Sequence, residues 1–432
     1  MRAFWKCQQG NVALLFGIAA VPILAAVGSA VDYTRAVNAR TAMQTAIDSA
    51  ALMLSKDAPN LSAAEITTRG QDYFTALLKR PDLANVTISS VYSANTGKGS
   101  KIEMVATGKI ATDFMKIAGF PNLNLDVNST VAWGNTRIQV ALALDATGSM
   151  ASKGKMPAMQ AAAKKLIDQL AANAKKPGDL YVSMIPFSTH VNAGATNYQQ
   201  PWLDWNDWED QNGNCSTGGS KTGADCVSKG RVWTASNHSN WNGCITDRDE
   251  DFDVKKTPPT SSNLSSLFQP DQFNPCPVQL VPLSSDWTKL KASIDQITPG
   301  GPTNQPVGMA WAWLSLQPTL PLNAPAEDPN YINKKIMIVL SDGLNTKNKK
   351  SGNGSSHAIY VDTRQKLLCD NIKADGVTVY TIQVNTDGDP LSTILQYCAT
   401  GSDKFFMLTS PTQIMAAFDT IGASLSKLRI AK

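Results

Sequence analysis

The sequence predicts an α/β protein built on a doubly wound, mostly parallel sheet. We expect one transmembrane helix and a small α+β unit before the sheet, and a disulfide-stapled insertion within it. From residue 137 onwards, apolar strands alternate with helical patterns, as in a parallel sheet covered on both faces. A run of twenty residues near the start carries no charge, and residues 190–283 interrupt the alternation with half of the ten Trp and four of the seven Cys.

The composition fits a multidomain globular chain. Of its 432 residues, 43% are hydrophobic and 17% charged, so most of the chain can bury a core. At about 150 residues per domain, this length favours two or three domains. The net charge of +4 comes without a basic stripe, which argues against a nucleic-acid partner. Only three His residues occur, which limits histidine-based metal or catalytic sites.

The uncharged run, residues 12–31, is long enough to cross a membrane, since twenty helical residues extend about 30 Å. Three interpretations are open: a retained anchor, a signal peptide cleaved near the small residues 28–30, or a precursor cut after Gly10. The length favours the anchor, because the apolar core of a signal peptide is usually shorter. We therefore predict a cytoplasmic tail, residues 1–10, and an anchor with a continuing helix, residues 11–56.

The cysteines indicate which side of the membrane holds most of the chain. The basic residues that flank the span are nearly balanced, so they decide little. Six cysteines after the span suit an oxidising compartment, whereas the lone Cys7 suits a reducing one. The short N-terminus is therefore expected inside and the rest of the chain outside.

Three disulfides are predicted among the six downstream cysteines. Cys215–Cys226 and Cys244–Cys276 lie in the insertion, which has few apolar residues to hold it. Cys369–Cys398 would join neighbouring helices of the α/β domain, and Cys7 would stay free. Spacing alone does not exclude other pairings or reduced cysteines buried in the core.

Residues 57–136 are predicted to form the small α+β unit. The Ala-rich helix that continues from the anchor is either a core helix or a pilin-like stem. Its apolar side comprises Met43, Ile47, Ala50, Ala51 and Leu54. Ser62 and Glu65 form a capping box that begins a second helix. Three strands are expected at 86–92, 101–110 and 123–133, with a turn at 95–97.

Residues 137–432 carry the alternating pattern. The predicted strands are 138–144, 180–187, 335–340, 377–384 and 405–408. The predicted helices are 155–174, 286–297, 305–316, 361–375 and 411–427. Continuous apolar strands are typical of a buried parallel sheet. The stretch 190–283 is too long for a simple loop, so we interpret it as the insertion.

Oxygen-bearing side chains follow two predicted strands and precede one helix. Asp145, Thr147 and Ser149 follow strand 138–144, and Asp342 follows strand 335–340. Thr303 lies in a Gly-rich loop before a helix. Open α/β sheets bind ligands at the carboxyl ends of their strands. Two carboxylates and three hydroxyls are an oxygen-only set suited to Mg²⁺, Mn²⁺ or Ca²⁺, so these five residues are the predicted metal site.

This pattern, Asp-x-Thr-x-Ser followed by Thr and then Asp, resembles the metal-ion-dependent adhesion site (MIDAS) of von Willebrand factor A domains. The resemblance covers about 137–427 without the insertion and implies a Rossmann-like fold. It implies that the hydroxyls ligate the ion directly and that the carboxylates act largely through water. One coordination position would remain for an acidic residue of a partner protein. Thr147 stands where Ser is commoner, but it supplies the same oxygen.

The N-terminal part resembles the TadE/TadG-like proteins of Tad (Flp) pilus assembly. The resemblance rests on a short tail ending in residues 10–13, one membrane helix and an Ala-rich continuation ending at 50–51. Residues 282–283, 301–304 and 308–313 are similar to TadG proteins that carry a von Willebrand A domain. Processed pilins carry Glu where this chain has Leu15, so cleavage after Gly10 is not expected. The resemblance implies a single-pass protein of the bacterial inner membrane, cytoplasmic at its N-terminus and otherwise periplasmic.

Together these features favour an interaction protein over an enzyme. We expect a membrane-anchored component of a Tad/Flp-type pilus assembly or secretion system. Its partners would be pilus-assembly or envelope proteins that offer an acidic residue to the metal, with no nucleic acid and no small-molecule substrate. A surface adhesin that binds host or matrix protein through the same site is the alternative. A hydrolase is disfavoured, because the motif has no general base nearby and neither Gly-x-Ser-x-Gly nor His-Glu-x-x-His occurs.

Two weaker patterns have structural interpretations. Asp247, Asp249, Asp251 and Asp253 alternate as in a calcium loop, but the positions that need Gly and Glu hold Phe and Pro. We interpret them as a solvated acidic loop. Trp residues at 202, 205 and 208 are interpreted as local packing.

Overall fold

The computed structural model describes residues 10–58, 61–94, 100–133, 136–174, 177–328 and 331–430. The chain forms two compact units. The N-terminal unit comprises Met1–Asn135, Pro329–Ile332 and Ala431–Lys432, and the C-terminal unit comprises Thr136–Asp328 and Asn333–Ile430. The predicted turn at 95–97, the tail before Gly10 and Cys7 lie outside the described residues.

The N-terminal unit consists of two helices and an antiparallel sheet. Its elements are α1 (Gly10–Asp57), α2 (Ala63–Leu77), β1 (Leu83–Ser93), β2 (Ser100–Ala111) and β3 (Asn122–Trp133). The strands pair in the order β1-β2-β3. The predicted capping box is confirmed, because Ser62 and Glu65 each accept the other's backbone N–H at the start of α2.

α1 is one helix of 48 residues with two different environments. From Leu14 to Val31 its large apolar side chains are exposed. The predicted apolar side from Met43 to Leu54 is fully buried against the sheet and α2, so this part is a core helix. Among the described residues, α1 is the one helix long and apolar enough to cross a membrane.

The C-terminal unit is a larger α/β body. Its strands are β4 (Thr136–Asp145), β5 (Leu180–Phe187), β6 (Val191–Asn192), β7 (Gly213–Cys215), β8 (Trp233–Ala235), β9 (Cys244–Ile245), β10 (Val281–Ser284), β11 (Ile332–Ser341), β12 (Thr378–Val384) and β13 (Phe405–Leu408). Its helices are α3 (Lys155–Ala171), α4 (Asn206–Gln211), α5 (Gly223–Ser228), α6 (Trp287–Asp295), α7 (Gln305–Ser315), α8 (Ile359–Ala374), α9 (Thr393–Cys398) and α10 (Thr412–Ile430).

The main sheet is doubly wound, as predicted. Its strand order is β13-β12-β11-β4-β5-β6-β9, and β10 also pairs with β5. The pairs β4–β5, β11–β12 and β12–β13 are parallel. Alternate residues of β4 enter different cores: Leu142 and Leu144 pack in one, and Ala141 and Ala143 in the other. The sheet is therefore buried on both faces, which explains its continuous apolar strands.

The insertion is less irregular than its sequence suggests. It adds β6 and β9 to the main sheet as antiparallel strands and forms the separate β7–β8 hairpin. Trp202, Trp208 and Trp241 are buried in the core beside α7, which confirms the packing interpretation for the first two. The described residues contain three disulfides, and their pairs are those predicted: Cys215–Cys226, Cys244–Cys276 and Cys369–Cys398.

The prediction of a solvated acidic loop is wrong for two of the four aspartates. Asp247 is buried and accepts hydrogen bonds from Asn304 Nδ2 at 2.9 Å and Lys349 N at 3.0 Å. Asp253 is largely buried and accepts from Arg364 Nε of α8 at 2.9 Å. Asp247 and Asp253 hold the insertion against the α/β core, because the polar groups that bond these carboxylates belong to that core.

Candidate metal centre

The predicted metal ligands lie near the point where the strand order of the main sheet reverses. From the neighbouring strands β4 and β11, the chain continues to β5 on one side and to β12 and β13 on the other. Asp145 is the last residue of β4, and Asp342 directly follows β11. A crevice at such a switch point is the usual ligand site of an open α/β sheet.

The loop after β4 connects three of the predicted ligands to Asp342. The Thr147 N–H donates to Asp145 Oδ1 at 2.8 Å. The Thr147 and Ser149 hydroxyl oxygens lie 3.0 Å apart, and Ser149 Oγ donates to Asp342 Oδ1 at 2.6 Å. Four of the five residues singled out from the sequence are thus joined by direct hydrogen bonds.

The fifth, Thr303, is placed by backbone contacts. Gly148 N–H donates to the Gly301 carbonyl at 2.9 Å, which brings the Gly-rich loop beside the loop after β4. Gly301 has φ +81°, a left-handed conformation that favours glycine. The Thr303 N–H donates to Thr346 Oγ1 at 2.9 Å, and its side chain is buried. Within the described residues, the Thr303 hydroxyl makes no hydrogen bond to the other four ligands.

The two carboxylates concentrate negative charge in a buried place. Burial and, to a lesser extent, the neighbouring Asp342 raise the pKa of the Asp145 carboxyl to about 7, against the lowering effect of hydrogen bonds from Ser341 and Thr147. A divalent cation beside this pair would offset the repulsion. The charge of the site therefore fits a cation.

Lys155 is a charged neighbour of the candidate site that was not predicted from the sequence. It is only 1% exposed, and its Nζ lies 2.5 Å from Asp342 Oδ2 and 2.8 Å from Asp387 Oδ2. Burial lowers the pKa of this ammonium, but the hydrogen bonds to Asp342 and Asp387 outweigh that effect and the pKa is raised. Lys155 begins α3, where the helix dipole disfavours a cation, and this mismatch is the signal that could have revealed it.

The donor set also fits a hard ion. Among the described residues, no group of three or more His, Cys, Asp or Glu could hold a metal, so an ion here depends on hydroxyl ligands. Each Asp145 oxygen already accepts one protein hydrogen bond, from the Thr147 N–H or from Ser341 Oγ. The Thr147 and Ser149 hydroxyls and the carboxylates then supply an oxygen-only environment, as Mg²⁺ prefers.

A buried amide network supports the loop after β11. Gln305 Nε2 donates to Ser341 Oγ at 3.1 Å and to the Gly343 carbonyl at 2.9 Å. The Gln305 N–H donates to Asn345 Oδ1 at 2.8 Å. This network could not be predicted from the sequence, because amide side chains show no distinctive spacing.

Strand order and strand direction place the C-terminal unit in the class of doubly wound α/β domains, and an apolar helix precedes it in the chain. A family model described as "Putative Flp pilus-assembly TadE/G-like" matches residues 10–53. The TadE/TadG-like resemblance of the N-terminal segment is thereby confirmed. No match was found among curated protein sequences.

Several solved structures resemble the chain loosely. Proximal thread matrix protein 1 from the mussel byssus is 13% identical, with 68% of this chain and 46% of that protein covered and a TM-score of 0.35. The pilus adhesin SpaC from Lactobacillus rhamnosus GG is 14% identical, with 80% and 35% covered and a TM-score of 0.38. The vWF domain of the type V pili tip protein Mfa5 from Porphyromonas gingivalis is 10% identical, with 68% and 96% covered and a TM-score of 0.37. The chain spans less than half the length of the first two.

Proposed function

We propose that this protein is a membrane-anchored, non-enzymatic component of a Tad (Flp)-type pilus assembly or secretion system, and that it binds a partner protein through a divalent ion. One observation carries the proposal: a single chain joins a TadE/G-like segment on an apolar helix to an α/β unit with paired carboxylates and hydroxyls at its switch point. The division into tail (1–10), anchor (11–56), α+β unit (57–136) and A-type domain (137–432) belongs to the same proposal.

The binding site would consist of the five oxygen ligands. Thr147, Ser149 and Thr303 would ligate the ion through their hydroxyls, and Asp145 and Asp342 would act largely through water. Mg²⁺ is the expected ion, with Mn²⁺ or Ca²⁺ as substitutes. Ser149 is exposed, which supports access from solvent for an acidic residue of a partner.

The compartment is argued from the helix and the disulfides. α1 would cross the bacterial inner membrane once, with the N-terminus in the cytoplasm. Three disulfides in the C-terminal unit support an oxidising compartment, which for this topology is the periplasm.

The test measures ion binding and partner binding in the same variants. In full-length protein in nanodiscs, Ser149→Ala should weaken Mg²⁺ or Mn²⁺ binding at least about tenfold by calorimetry, because a direct ligand is lost. Ser152→Ala is the matched control, since Ser152 is an exposed hydroxyl three residues further along and should leave binding unchanged. In cells, cross-linking of the parent to pilus-assembly proteins should be lost in Ser149→Ala and retained in Ser152→Ala.

Two results would contradict the proposal. If Ser149→Ala binds the ion as tightly as the parent does, the proposed metal site is wrong. If the parent binds the ion but shows no cross-link to pilus-assembly proteins that depends on Ser149, the proposed role in assembly is wrong. That result would favour the adhesin alternative.

A further inference from the structure

The connection between β2 and β3 presents large apolar side chains to solvent. This apolar loop, residues 112–121, contains the short 3₁₀ helix Met115–Ala118. Phe114, Ile117 and Phe120 are 48%, 85% and 57% exposed. A cluster of this kind on a surface usually marks a place of interaction.

Asp32 of α1 holds the apolar loop in place. Its carboxylate accepts the backbone N–H groups of Asp113, Phe114 and Met115 at 2.9, 2.8 and 2.8 Å. Asp32 is buried, so these three charge-assisted bonds satisfy it. The loop is closed on itself by the Thr112 N–H, which donates to the Pro121 carbonyl at 3.1 Å. The loop is therefore a fixed attachment on the side of α1.

The attachment lies at the end of the proposed membrane span. The Phe114 ring covers Gly28 of α1 so closely that a Cβ at Gly28 would collide with it. Gly28 is three residues before the end of the uncharged run, a distance of about 4.5 Å along the helix. Leu24 and Val27, just before it, are exposed apolar residues of the same helix. The apolar surface thus continues from the helix onto the loop.

We propose that the apolar loop inserts into the outer edge of the bilayer that α1 spans and sets the depth and rotation of α1 there. The proposal rests on the membrane anchor proposed above. Lipid is the expected occupant because the loop's apolar surface extends that of the helix at the level of Gly28, which lies in the uncharged run. Lys116 is exposed on the same loop, within reach of lipid phosphates.

Fluorophores at single cysteines test the proposal in the full-length protein. With Cys7→Ser as background, Ile117→Cys, Ile18→Cys and Leu52→Cys each introduce one labelling site on an exposed residue. The protein is placed in phosphatidylethanolamine and phosphatidylglycerol vesicles whose acyl chains carry a nitroxide quencher. Labels at 18 and 117 should lose at least about half of their emission. The label at 52, about 31 Å beyond Val31 along α1, should be unaffected.

The three positions separate the possible failures. If the label at 117 behaves like that at 52 while 18 is quenched, the anchor stands and the apolar loop is outside the bilayer, which overturns the inference. If the label at 117 is shielded from solvent only after pilus-assembly proteins are added, the loop is a protein-binding surface, and the inference is likewise overturned. If 18 is not quenched, the membrane anchor fails and this inference fails with it.

Discussion

The two units of the molecule bury very different side chains. In the described part of the N-terminal unit, Asp32 is the one buried charged residue, and the rest of its core is formed mainly by apolar side chains of α1 and β2. The C-terminal unit buries several charged residues, among them Asp145, Lys155, Asp247, Asp342 and Arg364. Buried charges are unfavourable unless they are paired, and they collect at sites that bind or react. The contrast supports the proposal that the first unit anchors the protein and the second binds a partner.

The largest expected effect tests the apolar side of this contrast. Ile47→Asp should destabilise the N-terminal unit by about 5 kcal/mol or more, because it places an unpaired carboxylate in an apolar core. Leu52→Asp, on the exposed side of the same helix, should change stability by less than about 0.5 kcal/mol. Limited proteolysis followed by mass spectrometry reports cleavage of residues 61–133 separately from the C-terminal unit. Equal resistance of the two variants would refute the assigned core.

An intermediate effect is expected from the disulfide between α8 and α9. Cys369→Ala combined with Cys398→Ala should destabilise the C-terminal unit by about 3 kcal/mol, because the unfolded chain gains freedom. Calorimetry should show a lower unfolding temperature for that unit and no change for the N-terminal unit, which holds none of the three disulfides. Cys7→Ser is the control and should unfold like the parent. A decrease in both transitions would show that the units are not independent.

The smallest expected effect is the pH dependence of Mg²⁺ binding at the buried carboxylates. Since the pKa of Asp145 is raised to about 7, an ion must displace a proton below that pH. Mg²⁺ affinity should rise up to about tenfold per pH unit until about pH 7, equivalent to about 1.4 kcal/mol per unit, and then level off.

Calorimetric titrations with Mg²⁺ from pH 5.5 to 8 check this dependence. Asp145→Asn should bind more weakly and without the pH dependence, whereas Ser152→Ala should retain the profile of the parent. An unchanged slope in Asp145→Asn would assign the titration to another group.

The sequence predicted most of the fold, since its strands are long apolar runs. The run 138–144 became β4 and the run 180–187 became β5, with nearly the predicted limits. β6 and β9 escaped prediction because two residues carry no periodicity. The same limit explains why the insertion was expected to be irregular although it extends the sheet.

The candidate metal site could likewise be predicted only in part. Asp145 and Asp342 were predictable because they follow strands that become neighbours, and the carboxyl ends of such strands form one crevice. Lys155 and Asp387 were not, because their pairing depends on how the start of α3 meets the loop after β12, and charged residues usually remain in water. The contact of Asp32 with the apolar loop spans 81 residues, a distance that no local pattern reports.

The continuity of α1 has a mechanical consequence. Between Val31 and Asp57 the helix rises about 39 Å, whereas a flexible linker of the same 26 residues could extend to about 90 Å or collapse to much less. Because the β1-β2-β3 sheet packs along α1 between Ala36 and Leu54, the helix fixes the position of that sheet beside the proposed membrane. Because no flexible linker separates the two parts of α1, a force applied to that sheet would act directly on the proposed membrane-spanning part of the helix.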